Sequence, residues 1–276
     1  MLFCCCHFYT FLMYNENMNK VINDFLKAIE IEFSFYPSLG LVSKQNSGCH
    51  FDMDYKTFQN SLKIFKPFLK TIYKDFNQIK DFYDLKQIGF NFENKMFEET
   101  NGVNTHKGLI FHSSIFFYCF LYTQINAGTL QKNIINFCKP LKSIPIKSKS
   151  MDLCKEYNLA HPTQIAISGY PVVFKALNYY QSIQHLNLEE NLKYFLLLIF
   201  LTVNIDDTTM ILKIGIQSYN NIKADLNSLA IKIEKNELSF KEIEEINNHF
   251  IKERVSPGGA ADLFVLVMFL KLINYS

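Results

Sequence analysis

Apolar residues recur with the 3.6-residue period of an amphipathic helix along most of the chain. The first such stretch is Met18 to Phe35, and Pro37 is expected to end it. A second helix begins after Asp54, which can cap it, and Pro67 is expected to kink it. Further helices are predicted at 85–100, 106–122, 171–186, 190–204, 206–233, 239–252 and 257–274. Because almost no segment alternates with period two, we expect an all-α fold, a single multi-helix, bundle-like domain.

The helical pattern also predicts the domain boundaries. Residues 1–17 are apolar but lack the basic region and cleavage site of a signal peptide. We expect a leader that is disordered or reflects a misassigned start, with translation beginning at Met13 or Met18, followed by one domain over 18–276. The segment 140–150 is rich in Pro, Lys and Ser, which is typical of a flexible loop.

Composition and charge exclude several functional classes. The longest apolar runs, 195–203 and 263–270, are shorter than the roughly 20 residues of a membrane span, so we expect buried core helices and no membrane. A formal net charge of +2 argues against a nucleic-acid binder. Arg254 is the one arginine, so lysines, backbone N–H groups and helix N-termini must bind any phosphate. Seven cysteines without a CxxC pair indicate reduced thiols and a cytoplasmic protein.

Four polar clusters stand where a loop enters a predicted helix, and the first spans 46–54. Asp52 or Asp54 could bind Mg²⁺ there, and His50 could lie near a reacting hydroxyl group. The alternative is that Asp54 only caps the helix and the other side chains form a solvated loop.

The second cluster, 102–108, resembles a phosphate-binding helix start. Gly102 leaves backbone N–H groups accessible, Asn104 can cap the helix, and Lys107 adds positive charge to its N-terminal end. A capped helix start with an incidental lysine is the alternative.

The third cluster is Asp206 to Thr209, followed by Lys213. Adjacent carboxylates cannot both be buried unpaired, so a metal ion, a lysine or solvent must meet Asp206 and Asp207. Simple helix capping is the alternative here too.

The fourth cluster, 256–262, predicts an anion site at the start of the last helix. Ser256 suits the N-cap and Pro257 the first helical position, while Gly258 and Gly259 would expose free N–H groups. Asp262 lies a turn further and could hold a metal or a hydroxyl group. A well-capped core helix is the alternative. Outside the four clusters, Cys119, Cys138 and His112 are interpreted as core residues.

Taken in order, these clusters resemble the triphosphoribosyl-dephospho-CoA synthase family, from about residue 25 to 270. The stretches that carry the resemblance are NSGCHFDMDYKTF (46–58), GVNTHKG (102–108), DDTT (206–209) and SPGGAADL (256–263). It implies a transferase in which the ribose 2′-hydroxyl of 3′-dephospho-CoA displaces adenine from ATP and leaves the triphosphate intact. It also implies ATP as substrate, Mg²⁺ as cofactor, and a product that passes to a carrier-protein prosthetic-group transferase.

The resemblance suggests roles for the cluster residues, since breaking an N-glycosidic bond needs a carboxylate near the sugar, a base and cations around the triphosphate. The expected catalytic residues are His50, Asp52, His106, Asp207 and Asp262, with either histidine as proton acceptor. The expected metal ligands are Asp52, Asp54, Asp207 and Asp262. The expected nucleotide-binding residues are Gly102, Asn104, Lys107, Lys213, Ser256, Gly258 and Gly259.

The chain departs from the family pattern in several places. A Pro-Lys-Pro-Gly-Leu-Val-Asp run is replaced by 37–43, which lacks its lysine and its aspartate, and Ser43 ends it. Residues 161–166 lose an arginine and a glutamate, with Ile165 among the replacements. Lys213 and Asn101 each replace an arginine, and a lysine lacks the two-pronged geometry of a guanidinium group.

These departures leave three functional hypotheses. The chain is a working transferase, a degenerate non-catalytic homologue that binds nucleotide or a pathway partner, or an all-α metal-dependent hydrolase of ADP-ribose-like substrates. The sequence does not distinguish citrate lyase from malonate decarboxylase as the destination of the prosthetic group.

Overall fold

The computed structural model describes residues 3–144 and 148–275, with side chains from residue 17 onward. Over these residues the fold consists of helices and no strand, which confirms the all-α prediction. The helices are α1 Phe3–Glu32, α2 Tyr55–Leu62, α3 Phe65–Lys74, α4 Phe82–Glu99, α5 Lys107–Ile125, α6 Leu130–Phe137, α7 Lys149–Tyr157, α8 Pro162–Ile167, α9 Pro171–Ser182, α10 Glu190–Asn204, α11 Thr208–Glu234, α12 Phe240–Lys252 and α13 Gly258–Leu272. Short 3₁₀ segments lie at Lys139–Ser143 and Ile183–His185.

Helix α13 is the centre of the bundle. Its residues from Leu263 to Leu270 are all buried, and α1, α5, α9 and α10 pack around it. Such all-round burial explains why its sequence shows an apolar run rather than a one-sided stripe. Cys119, Cys138 and His112 lie in this core as predicted, and the imidazole Nδ1 of His112 lies 2.9 Å from the hydroxyl of Tyr170.

By length and composition, α5 could cross a membrane, and so could the bent pair α10 and α11 if it counted as one span. In the structure, 67% of the α5 window is buried inside the protein. A core helix that packs against four neighbours passes the same test, so this finding does not indicate a membrane protein.

The structure corrects several predicted helix boundaries. Helix α1 ends at Glu32, five residues before Pro37. The second predicted helix is two helices, α2 and α3, because the helical backbone is interrupted before Phe65. Pro67 falls in the first turn of α3, where a missing N–H is tolerated. Helix α11 contains a break at Gly215, whose φ of 77° is left-handed. The short helices α6, α7 and α8 were not predicted.

Two predictions concern segments that are described only in part. The helical backbone of α1 continues back to Phe3, but the side chains of residues 1–16 lie outside the described residues, so the separate leader stays a prediction. The predicted loop 140–150 begins in a 3₁₀ segment and ends in α7, and its residues 145–147 lie outside the described residues.

The connection between α1 and α2 folds over the start of α13. The buried Asn247 on α12 accepts a hydrogen bond from the N–H of Ser38 at 2.9 Å. The N–H of Cys49 donates to the carbonyl oxygen of Gly40 at 2.8 Å, and a Cβ atom at Gly48 would overlap with that same oxygen. These contacts fix the loop and carry His50 to the N-terminal end of α13.

Candidate active site

Asp207 joins the N-termini of α11 and α13. Its Oδ1 accepts hydrogen bonds from the N–H groups of Thr209 at 3.0 Å and Met210 at 3.2 Å, and from the Thr209 hydroxyl. Its Oδ2 accepts from the N–H groups of Gly259 at 2.9 Å and Ala260 at 3.3 Å. The predicted partner of this carboxylate was a metal ion, a lysine or solvent, whereas backbone amides of two helices satisfy it. Capping, the alternative interpretation, is therefore confirmed for Asp207.

The start of α13 differs from the predicted anion site for the same reason. The N-cap is Pro257 rather than Ser256, and the N–H of Gly258 donates to the Ser256 carbonyl oxygen at 3.0 Å. Because Asp207 holds the next two N–H groups, the prediction that Gly258 and Gly259 expose free donors is wrong. The absence of a side chain matters instead: a Cβ at Gly259 would lie 3.1 Å from Asp207 Oδ2.

Asp262 lies one turn into α13 and faces the start of α5. A Cβ atom at Gly108 would overlap with Asp262 Oδ2, so the carboxylate rests directly on the α5 backbone. Asp262 is partly accessible, and within the described residues no protein group donates a hydrogen bond to it. Burial raises its pKa well above the ordinary value, and the negative charges of Glu32 and Asp207 raise it further.

Glu32 is a third carboxylate at this site, and it was not predicted from the sequence. It is the last residue of α1 and only 4% exposed. Burial raises its pKa from 4.5 to about 8. A signal was available, because Phe25 and Ile29 mark the buried face of α1 and Glu32 falls on that same face, where a charged residue is costly.

His50 lies beside this carboxylate cluster, which we define as Glu32, Asp207 and Asp262. Its Nε2 is 3.4 Å from the hydroxyl of Ser256, and its Nδ1 is 4.0 Å from Asp52 Oδ1. Burial and the nearby Lys213 lower the pKa of His50, against a smaller opposite effect of Asp52. His50 is therefore mainly neutral at pH 7, the form that accepts a proton.

His106 is placed differently from His50. It is 3% exposed and surrounded by the rings of Phe33, Phe58 and Phe65, and its Nδ1 is 2.7 Å from the Ser61 hydroxyl. Burial lowers its pKa to about 3. The structure thus favours His50 over His106 as the proton acceptor, because a substrate hydroxyl cannot reach a ring enclosed in this way.

The start of α5 has features of a capped helix but retains backbone donors without an acceptor. Asn104 Oδ1 accepts from the N–H of Lys107 at 3.3 Å, and the Lys107 amine forms an ion pair with Glu93 at 3.1 Å. Over the described part of the chain, no acceptor lies on the N–H of Gly108. Gly102 is exposed with φ of 85°, and a Cβ atom added there would have no neighbour within 4 Å among the described residues.

The other predicted metal ligands lie at the edge of the site. Asp54 is an exposed N-cap, and its Oδ1 accepts from the N–H of Thr57 at 2.8 Å. The side chain of Asp52 is 64% exposed, and its Oδ1 lies 4.0 Å from His50 Nδ1. No group of three or more His, Cys, Asp or Glu side chains among the described residues is arranged to hold a metal ion by itself.

The structure therefore brings together His50, Ser256, Asp207, Gly259 and Asp262, which the sequence places far apart. Lys213 and Gly108 border the same region. Gly102 and Asn104 are exposed in the turn before α5, Lys107 is exposed at its first residue, and His106 faces the core. Which of these residues bind substrate stays a prediction.

Comparison with known proteins decides the family. Residues 19–276 match the sequence profile of ATP:dephospho-CoA triphosphoribosyl transferase (CitG). The chain belongs to this family. No solved structure matches the chain.

Curated relatives of this family extend over most of the chain. A probable 2-(5''-triphosphoribosyl)-3'-dephosphocoenzyme-A synthase of Streptococcus equi subsp. zooepidemicus is 30% identical over 294 residues, covering 92% of this chain and 98% of the relative. A similarly named protein of Photobacterium profundum is 26% identical over 281 residues, covering 94% and 89%. The protein CitXG of Leuconostoc mesenteroides subsp. cremoris is 30% identical over 278 residues, covering 91% of this chain and 58% of that protein.

Proposed function

We propose that this chain transfers the triphosphoribosyl group of ATP to the ribose 2′-hydroxyl of 3′-dephospho-CoA and releases adenine. The bond between the ribose C1′ and N9 of adenine breaks, and a bond from the acceptor 2′-oxygen to that carbon forms. The hydroxyl proton passes to a base, and adenine takes up a proton as it leaves. Membership of the transferase family and the names of the relatives support this reaction.

The observation that carries the proposal is the position of Asp262. It is a partly accessible carboxylate without a protein donor, at the meeting point of three helix starts. Positive charge develops on the ribose as the glycosidic bond breaks, and such a charge favours the ionised form of Asp262. The resulting carboxylate stabilises the ribose strongly in a water-poor site. Asp207 lacks this freedom, because both of its oxygens are held by backbone N–H groups.

His50 serves as the base in this proposal. It is neutral at pH 7, and its Nε2 is directed towards Ser256 at the entrance of the carboxylate cluster. A proton from the acceptor hydroxyl can pass to that nitrogen, and Lys213 then lies close enough to favour its onward release.

The triphosphate is expected to bind along the starts of α5 and α11. The exposed amines of Lys107 and Lys213 and the N–H of Gly108 are the donors that border the cluster. Mg²⁺ would neutralise the triphosphate, and of the four predicted ligands Asp262 has both oxygens available close to the reacting sugar. Asp54 and Asp207 already satisfy their own helices.

We also propose that the enzyme is cytoplasmic and that its product passes to a carrier-protein prosthetic-group transferase. The reduced state of the buried cysteines, of which Cys49, Cys119, Cys138 and Cys154 are free thiols, supports the first point. The chemistry of the product, an activated nucleotide with an intact triphosphate, supports the second.

The test is a direct assay of both products. The protein is incubated with ATP, 3′-dephospho-CoA and Mg²⁺, and adenine and the coupled nucleotide are measured by chromatography and mass spectrometry. Equal amounts of the two products, formed only when both substrates are present, would support the transferase. Adenine or sugar phosphates without acceptor would indicate hydrolysis, and nucleotide binding without any product would indicate a non-catalytic homologue.

A further inference from the structure

Glu32 is buried without any protein group to satisfy it. Glu32 is only 4% exposed. In the part of the chain that the structure describes, no donor forms a hydrogen bond with its carboxyl group and no cation pairs with it. Most buried acidic groups in proteins are paired or fully hydrogen-bonded, since an isolated buried charge is very unfavourable. Glu32 is therefore an exception that requires an explanation.

The Glu32 carboxyl group is not sealed in the core. The buried side-chain atoms that lack both a partner and solvent contact in the described residues are Ser34 Oγ, His106 Nε2 and Asn247 Nδ2, and the Glu32 oxygens are not among them. Those oxygens therefore keep some contact with solvent space. Helix α1 packs against α13, and just beyond Glu32 the ring of Phe35 stacks on Phe264 with centroids 5.2 Å apart, which brings the end of α1 to the first turns of α13 near Asp262.

The charged groups that raise the pKa of Asp262 are Glu32 and Asp207, which are both negative. Neither Glu32 nor Asp262 forms an ion pair with a lysine, arginine or histidine among the described residues. Two carboxyl groups in this position must share a proton or receive a cation from outside the chain. The substrate of the proposed reaction carries such a cation, since ATP binds proteins with Mg²⁺.

We propose that Glu32 and Asp262 together hold one divalent cation that enters with the ATP triphosphate. Magnesium is usually held by one or two carboxylates, with substrate phosphates and water completing the shell. This matches a site where the described residues offer two free carboxyl groups and no cluster of three or more metal-binding side chains. This inference rests on the proposed function for the identity of the nucleotide. Glu32 thereby becomes a ligand that neither the sequence pattern nor the family resemblance assigned.

The experiment uses Mn²⁺ as a paramagnetic probe in place of Mg²⁺. The full chain is titrated with Mn²⁺ in the presence of ATP and the absence of 3′-dephospho-CoA, and free Mn²⁺ is followed by electron paramagnetic resonance. We expect Glu32→Gln and Asp262→Asn each to weaken binding of the Mn²⁺–ATP complex about tenfold or more. The effect of the double variant should be smaller than the product of the two single effects, because both side chains act on the same ion.

Glu30→Gln is the matched control, because Glu30 lies on the same helix, is exposed and pairs with Lys27 at 3.1 Å. It should bind Mn²⁺–ATP as the wild type does. Wild-type binding in Glu32→Gln, or independent effects that multiply in the double variant, would overturn the proposal. If Glu32→Gln did not fold, as judged by its helical circular dichroism, Asp262→Asn would test the cation site, with Asp206→Asn as its control. Unchanged Mn²⁺–ATP binding in Asp262→Asn would then overturn the proposal.

The outcome is separable from the fate of the proposed function. Loss of Mn²⁺–ATP binding in both single variants, together with no adenine release by the wild type, would leave the cation site standing and remove the reaction. Adenine release by the wild type, with unaltered Mn²⁺–ATP binding in Glu32→Gln, would support the reaction and remove the cation site.

Discussion

Replacement of Asp207 by alanine should destabilise the fold far more than loss of an ordinary helix cap. Asp207 is 1% exposed and accepts hydrogen bonds from four backbone N–H groups, two on α11 and two on α13. Loss of an N-cap alone costs about 1 kcal/mol. The two donors on α13 would also lose a charged acceptor at a buried position, at about 1–3 kcal/mol each.

Removal of a negative charge next to Asp262 and Glu32 offsets part of this cost, because like charges repel at close range. The expected net loss is about 3–5 kcal/mol in the free energy of unfolding. For a chain of this length that corresponds to a fall in Tm of roughly 10 °C. The comparison variant is Asp54→Ala, an exposed cap of α2 that should lose only about 1 kcal/mol.

Urea unfolding followed by circular dichroism at 222 nm measures the two losses side by side. An unchanged denaturant slope would show that stability, rather than the extent of unfolding, has changed. If Asp207→Ala lost no more than Asp54→Ala, Asp207 would not be the link between the two helices, and its oxygens would be free for another role.

Three further predictions follow from the same site. Glu32 binds a proton more tightly in the folded state than in the unfolded one, with a pKa of about 8 against 4.5, so its contribution to stability falls as pH rises through that window. Glu32→Gln should therefore become progressively more stable than the wild type from about pH 4.5 to pH 8, by a few kcal/mol at the upper end. A stability difference that stays constant across urea titrations at these pH values would contradict this. Gly108→Ala should reduce adenine release at least tenfold, because the added methyl group would displace Asp262 while the fold is retained. The control Gly89→Ala, inside α4, should release adenine normally, since the nearest atom to its added Cβ would lie 3.8 Å away. Equal activities of the two variants would refute the contact between Gly108 and Asp262. The acid limb of the pH profile of kcat/KM should lie below pH 6.5, because the pKa of His50 is lowered. The limb should disappear in His50→Gln but persist in His106→Gln, since the His106 pKa of about 3 keeps that ring neutral. Loss of the limb in His106→Gln alone would make His106, rather than His50, the base.

The sequence predicts the helices well where one face is apolar over several turns. The predicted bounds of α10, 190–204, agree with the structure, and those of α12 differ by one residue. The short helices α6, α7 and α8 have six to nine residues each, too few for a helical period to stand out. The break before Phe65 was missed because nothing in the local pattern distinguishes one bent helix from two.

The candidate site was predicted in its parts but not in its connections. Loops that enter helices with Asp, His and Gly residues indicated where polar groups would gather. The bonds from Gly259 and Ala260 to Asp207 join positions more than fifty residues apart, and spacing along the chain carries no information about them. Glu32 was missed although its spacing from Phe25 and Ile29 places it on the apolar face of α1, because the pattern alone does not show that helix α13 covers this position.

We propose that Asp262, at the junction of α5, α11 and α13, faces the reacting ribose. The rate of adenine release by Asp262→Asn relative to the wild type tests this position, with Asp54→Ala measured in parallel. We expect a loss of about a thousandfold or more in the first variant and a rate within about twofold of the wild type in the second. Retention of the wild-type rate by Asp262→Asn, in a protein with intact helical structure, would contradict it.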